Sequence, residues 1–192
     1  LISKELREMY LSITLCKAER LEDLINEFFE ITRFNIYDIT LQYTKINLTR
    51  LLEQLVYEFK PMLKSKNLQC NLCVDDDIML RCDADKIQRV FDNLLRNAVI
   101  YSFENTDITI SAQCQEDTVS IIFCNHGDTL PEEKLNRIFE QFYRLDAARS
   151  TSSGGAGLGL AIAKQIVELH NGTIVAESQE DQNKFSITLP LA

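Results

Sequence analysis

The stretch from Gly154 to His170, GGAGLGLAIAKQIVELH, constrains this chain more than any other. Gly155, Gly157 and Gly159 leave almost no side-chain bulk, and Leu158, Ile162, Ile166 and Leu169 then recur on one face at helical spacing. A glycine-rich turn therefore opens a helix. Such a turn aims unpaired backbone N–H groups and the positive end of the helix dipole at one point, an arrangement suited to phosphate. A flexible linker is the alternative, favoured by the neighbouring Ser150, Thr151, Ser152 and Ser153. Two familiar phosphate loops do not fit. Gly154 and Gly159 have P-loop spacing, but Leu160 and Ala161 stand where Lys and Ser or Thr are required. A dinucleotide fingerprint from Gly155 needs glycine at Leu160, and no strand pattern precedes it.

The 192 residues, 45% of them hydrophobic, suffice for one main core with an appendage. A net charge of -9 argues against a nucleic-acid or anionic-lipid surface, so a bound polyanion has to meet local donors. No apolar run reaches the roughly 18 residues of a membrane helix, and no signal-peptide pattern opens the chain. The start, without Met and already in a helical pattern, reads as that of an excised piece. Six cysteines lie mostly in apolar runs and are expected to be reduced, as in the cytosol. Cys70 and Cys73 form a C-x-x-C within a strand pattern that turns them to opposite faces. With no second pair, zinc is not supported.

From Leu1 to about Phe34, Leu6, Met9, Ile13, Cys16, Leu21, Leu24, Phe28 and Ile31 recur mostly every three or four positions. That pattern predicts one long amphipathic helix, which needs a partner helix in a bundle or across a dimer, or the following domain, to cover its stripe. A boundary follows at about residue 40. The next elements are a strand at 41–46, a helix at 48–65 capped by Asn47, and strands at 68–74 and 78–82 around Asp75, Asp76 and Asp77. The three acids read as a solvated turn, since a calcium loop alternates its carboxylates and contains glycine. Pro61 is expected to bend its helix or mark its final turns.

Asp83 caps a helix to about Tyr101 whose buried stripe is Ile87, Val90, Phe91, Leu94 and Ala98. Asn93 and Asn97 lie four apart on its flank. Asparagine is a poor helix former, so the pair is either exposed polar surface or a pair of amide oxygens fit for magnesium beside nucleotide phosphates. Strands DITISAQCQ and TVSIIFCN form a hairpin around Glu116 and Asp117. Asn125, His126 and Gly127 follow, either as an ordinary turn or with Asn125 placed to read the edge of a base. A short helix with Leu135 and Ile138 begins at Pro131. His126 reads as a turn residue, and His170 as a helix-end residue set against the dipole. FEQFYRLD and the small polar residues to Ser153 have the composition of a lid, with Arg144 and Arg149 available to phosphate. Strands at 173–178 and 184–189 complete the sheet.

Taken in order, NLLRNAVIYS, NHGDTLPEEKL, FEQFYRL, GGAGLGLAIAK and FSITLP resemble the N, G1, F and G2 boxes and closing strand of a sensor histidine kinase, over essentially the whole chain. The resemblance implies an α+β fold of the GHKL (Bergerat) type, a mixed sheet backed by three helices in residues 41–192. It implies that residues 1–40 are the second helix of a dimerisation and phosphoacceptor hairpin. It further implies ATP and Mg2+, with Asn97 as the main magnesium ligand and Asn93 beside it. Tyr101 would lie against adenine, with Asn125 and Gly127 in the base-reading box. Gly155, Gly157 and Gly159, with Leu158 and Leu160 between and after them, would cradle phosphate. Arg144 would stabilise charge on the γ-phosphate, the catalytic role. The implied partners are a response regulator and a second copy, with no nucleic acid, in a parent anchored to the membrane and facing the cytoplasm.

Three positions depart from the pattern. Asn125 replaces an aspartate, Ile100 stands where Lys or Arg often reaches phosphate, and Thr129 replaces a glycine. Neither His126 nor His170 lies in an H box, so the acceptor histidine is expected outside this sequence. Two other readings share the fold. A GHKL hydrolase carries a water-activating Glu where this chain has Asn93, which disfavours it. A nucleotide-sensing or dimerisation module without kinase activity is favoured by Asn125 and Ile100.

Overall fold

The computed structural model describes residues 3–36, 40–75, 77–144 and 156–191, and divides into two compact units, Leu1–Ile39 and Thr40–Ala192. The first is a single helix, α1 (Lys4–Ile36). Thr14 and Thr32 hydroxyls bond back to the carbonyls of Tyr10 and Phe28, four residues earlier. Leu6, Met9, Ile13, Leu21 and Phe28 of the apolar stripe read from the sequence are exposed.

The second unit begins with β1 (Tyr43–Asn47) and α2 (Leu48–Ser65). Asn47 caps α2 as expected, its side chain accepting from Arg50 N at 2.9 Å. Pro61 lies near the end of α2 without stopping it. After β2 (Gln69–Val74) and β3 (Met79–Asp83) comes α3 (Ala84–Tyr101), capped by Asp83 through Lys86 N. The remaining elements are β4 (Asp107–Gln115), β5 (Thr118–His126), α4 (Glu132–Leu135), α5 (Gly159–Leu169), β6 (Thr173–Gln179) and β7 (Gln182–Pro190).

Five strands form one mixed sheet in the order β2-β4-β5-β7-β6, with β2 and β4 parallel and the rest antiparallel. Strand β3, although next to β2 in sequence, pairs with β1 in a separate two-stranded ribbon. Alternation delivers Ile108, Ile110, Val119, Ile121, Phe123, Phe185 and Ile187 to one face of the large sheet. Helices α2, α3 and α5 supply the other half of the core with Leu52, Leu55, Phe91, Leu94, Leu95, Ile162 and Ile166. Phe91 of α3 meets Phe123 of β5 at 5.8 Å between ring centroids. The three-helix, mixed-sheet α+β fold expected from the sequence is thus present.

The sequence reading of His126 needs correction. His126 is the last residue of β5, opposite Gln182 of β7, rather than part of a turn. His170 is buried, and its ring is a tie between distant elements. Nε2 accepts from Asp83 N at 3.0 Å while Nδ1 meets Ile166 O at 2.8 Å, which fixes the tautomer with the proton on Nδ1. The cysteines are free, but Cys16, Cys73 and Cys114 are exposed, against the expectation that most would be packed. Burial pushes the Cys70 thiol up to about 11 and that of Cys82 up to about 12.

Candidate functional site

A cavity of about 310 Å³ opens between the C-terminal half of α3, the loop after β5 and the start of α5. Its lining includes Asn97 and Tyr101 of α3, Asn125 of β5, Asn183 and Phe185 of β7, Arg144, and Leu160 of α5. Five residues expected at a site from the sequence, Asn97, Tyr101, Asn125, Arg144 and Leu160, therefore converge on one space.

Local chemistry explains the convergence. The α3 cap at Asp83 fixes where the helix starts, and its periodicity buries Ile87, Phe91 and Leu94 while turning Asn97 and Tyr101 to the cavity. Alternation on β5 buries Phe123 and Asn125 on the helix-facing side. Gly127 then lets the chain pass tight against α3. A Cβ there would run into the Tyr101 carbonyl and come within 3.2 Å of Asn183 Nδ2. The Gly127 N–H is held by Asp181 O at 2.9 Å.

The glycine turn reaches the site by close approach. Gly157 adopts φ +78, and a Cβ on it would stand 2.8 Å from Tyr143 O and 3.1 Å from Arg144 Cγ. Phe142 N donates to Gly157 O at 3.0 Å, which ties the turn to the segment that carries Arg144. Leu158 forms the N-cap of α5 without a side-chain hydrogen bond, and α5 starts at Gly159. The first turn of that helix thus brings backbone N–H groups with no side-chain cap, as a phosphate subsite needs.

Asn93 is 8% exposed, which rules out the solvent-flank reading for it. It sits at the seam of α3 and α5, where a Cβ on Gly159 would lie 3.3 Å from its Oδ1, and its Nδ2 has no partner. Such an orphaned buried amide carries a desolvation cost of about 1–3 kcal/mol. Asn93, Gly127, Gly157, Leu158 and Gly159 do not line the cavity wall, and Leu158 is a core residue. Gly155, Arg149 and residues 145–153 of the lid reading lie outside the described residues, as does Asp76.

Several wall residues were not assigned to the site from the sequence. Lys134 of α4 supplies a cation, and Asp128, Thr129, Leu130, Pro131, Ile138 and Tyr143 complete one side. Ile138 is buried in the turns just after α4 rather than within it. Lys66 does not make up for Ile100, because its Nζ donates to the carbonyl of Ile100 at 2.5 Å. On the other face of β5, burial pushes the Cys124 thiol up, with Lys184 opposing. Burial likewise raises the Asp92 carboxyl, against the pull of Arg89 and Arg96.

Among the described residues, no group of three or more His, Cys, Asp or Glu is placed to hold a metal. A divalent ion here would rest on neutral amide oxygens and on the phosphates of its own ligand, which suits magnesium and fits Asn97 on the cavity wall.

Comparison with known proteins agrees with the boxes. The chain is 50% identical over 181 residues to the sensor protein VanS of Enterococcus faecium, covering 94% of this chain and 47% of VanS. It is 45% identical over 189 residues to VanSC of Enterococcus gallinarum, covering 98% and 52%. The chain thus spans about half the length of these curated relatives. Among solved structures, histidine kinase ThkA in complex with the response regulator protein TrrA is similar at a TM-score of 0.81 and 26% identity, covering all of this chain and 53% of that one. Residues 82–192, which hold every described wall of the cavity, match the histidine kinase-, DNA gyrase B- and HSP90-like ATPases, and the chain belongs to that family.

Proposed function

We propose that residues 40–192 bind Mg2+-ATP as the catalytic part of a two-component sensor histidine kinase. The observation that carries this is the convergence of Asn97, Tyr101, Asn125 and Arg144 on one cavity at the mouth of a glycine-opened helix. In this reading Tyr101 packs against adenine and Asn125 Oδ1 accepts from its amino group. Backbone N–H groups around Gly155, Gly157 and Gly159 receive the phosphates, and Lys134 adds the charge that Ile100 lacks. Asn97 and Asn93 hold the magnesium, which when bound neutralises charge on the phosphates. Arg144 stabilises the negative charge of the γ-phosphoryl group in flight, so catalysis is mainly positioning and electrostatics.

The γ-phosphate passes to a histidine outside this sequence and from there to a response-regulator aspartate. Helix α1, with its apolar stripe, belongs to the dimerisation hairpin, and the whole protein is a membrane-anchored homodimer with this part in the cytoplasm. Likeness to VanS and VanSC supports glycopeptide resistance as the response controlled. The test uses the longer protein that carries the acceptor helix, incubated with γ-labelled ATP and Mg2+. Acid-labile, alkali-stable phosphate, absent from Asn97→Ala, is expected. Nucleotide binding with no such phosphate would leave the non-catalytic module as the better reading.

A further inference from the structure

Asn125 is 2% exposed, lines the cavity, and its Nδ2 has no hydrogen-bond partner. Its cross-strand neighbour does not supply one. Asn183, opposite Asn125 on β7, uses both ends of its own amide, with Nδ2 donating to Asp128 O at 3.3 Å and Oδ1 accepting from Ser178 Oγ at 2.6 Å. The cavity therefore has a nine-tenths buried wall residue whose amide nitrogen is shielded and unpaired. Buried donors are nearly always paired, so this one points to a ligand acceptor.

A carboxylate at this place would offer acceptors only. An amide offers one acceptor and one donor, and a half-turn of its terminal torsion exchanges them. We propose that Asn125 makes the base subsite admit 6-oxopurine nucleotides, of which inosine triphosphate is the simplest, alongside ATP. Oδ1 accepts from an amino group at C6, and Nδ2 donates to a carbonyl at C6. Inosine and adenosine have the same ring shape and differ at C6 and in the proton on N1, so a packing contact such as that of Tyr101 does not tell them apart. Discrimination falls on the polar group that meets C6. This inference rests on the nucleotide reading of the cavity.

Calorimetric titration of the chain with ATP and with inosine triphosphate, both with Mg2+, tests it in wild type and Asn125→Asp. Wild type is expected to bind inosine triphosphate within about thirtyfold of ATP. Asn125→Asp should widen the preference for ATP over the inosine nucleotide at least about tenfold, since a site with a mismatched buried polar group rejects its ligand strongly. ATP binding with the inosine nucleotide more than thirtyfold weaker in wild type would overturn the inference alone, as would an unchanged ratio in a folded Asn125→Asp. Should that variant not fold, the wild-type ratio decides. Binding of neither nucleotide would overturn the nucleotide reading, and this inference with it.

Discussion

Replacing Asn93 by alanine should make the nucleotide-free protein more stable while it damages the site. The orphaned Nδ2 of a residue 8% exposed costs about 1–3 kcal/mol, which the substitution removes. Alanine in place of asparagine inside α3 adds up to about 0.7 kcal/mol of helix propensity. Against this, the amide's contacts with Gly159 are lost, about 1 kcal/mol for a handful of atom pairs. The net gain is about 0–3 kcal/mol, which for a unit of this size raises the melting temperature by up to about 11 °C. Melting is then repeated with saturating Mg2+-ATP. A ligand at 100 times its dissociation constant stabilises wild type by about 2.7 kcal/mol, and at least half of that response should vanish in the variant. A variant that melts below wild type without nucleotide would refute the reading of the orphaned amide. A full ligand response would refute its part in the site.

Three further outcomes follow from the same geometry. Gly127→Ala drives a methyl group into the Tyr101 carbonyl and should cost about 1–3 kcal/mol in denaturant melts, with weaker nucleotide binding because Tyr101 moves. Asp92→Asn should be stabilising at pH 7 relative to pH 4. Burial raises the folded carboxyl, so the folded state holds its proton more firmly, and wild-type stability falls as pH rises through the unfolded and then the folded value. Urea melts of both proteins at the two pH values measure this, and a difference independent of pH would contradict it. Arg144→Ala, in the longer protein, should leave Mg2+-ATP affinity within a few-fold and slow phosphohistidine formation by about 10²–10³-fold, measured in single-turnover assays.

What the sequence revealed depended on how local the physics was. The starts of α2 and α3 were legible because Asn47 and Asp83 close their caps within three residues. The β4–β5 hairpin was legible because alternation flanks a two-residue turn, with Glu116 at φ +48. Long-range choices were not. That β3 pairs with β1 rather than β2 is decided across more than thirty residues. The tie from His170 to Asp83 spans 87 positions, so a helix-end histidine looked like a charge set against a dipole. In the site, the residues with box-like neighbours, Asn97, Tyr101, Asn125, Arg144 and Leu160, were found. Lys134, Asn183 and Phe185 were missed, because a lone lysine on a four-residue helix and two positions in an ordinary alternating strand carry no local signal. Asn93 was placed on the flank beside Asn97, whereas the close approach of Gly159 and its 8% exposure put it in the α3–α5 seam.

The central claim is a magnesium-dependent nucleotide site organised by Asn97, and calorimetric titration of the chain with ATP tests it most directly. Binding should require Mg2+ and weaken at least about tenfold in Asn97→Ala, a loss of about 1.4 kcal/mol, with the variant's melting temperature near that of wild type. Undetectable binding, or binding indifferent to both magnesium and Asn97, would contradict the claim.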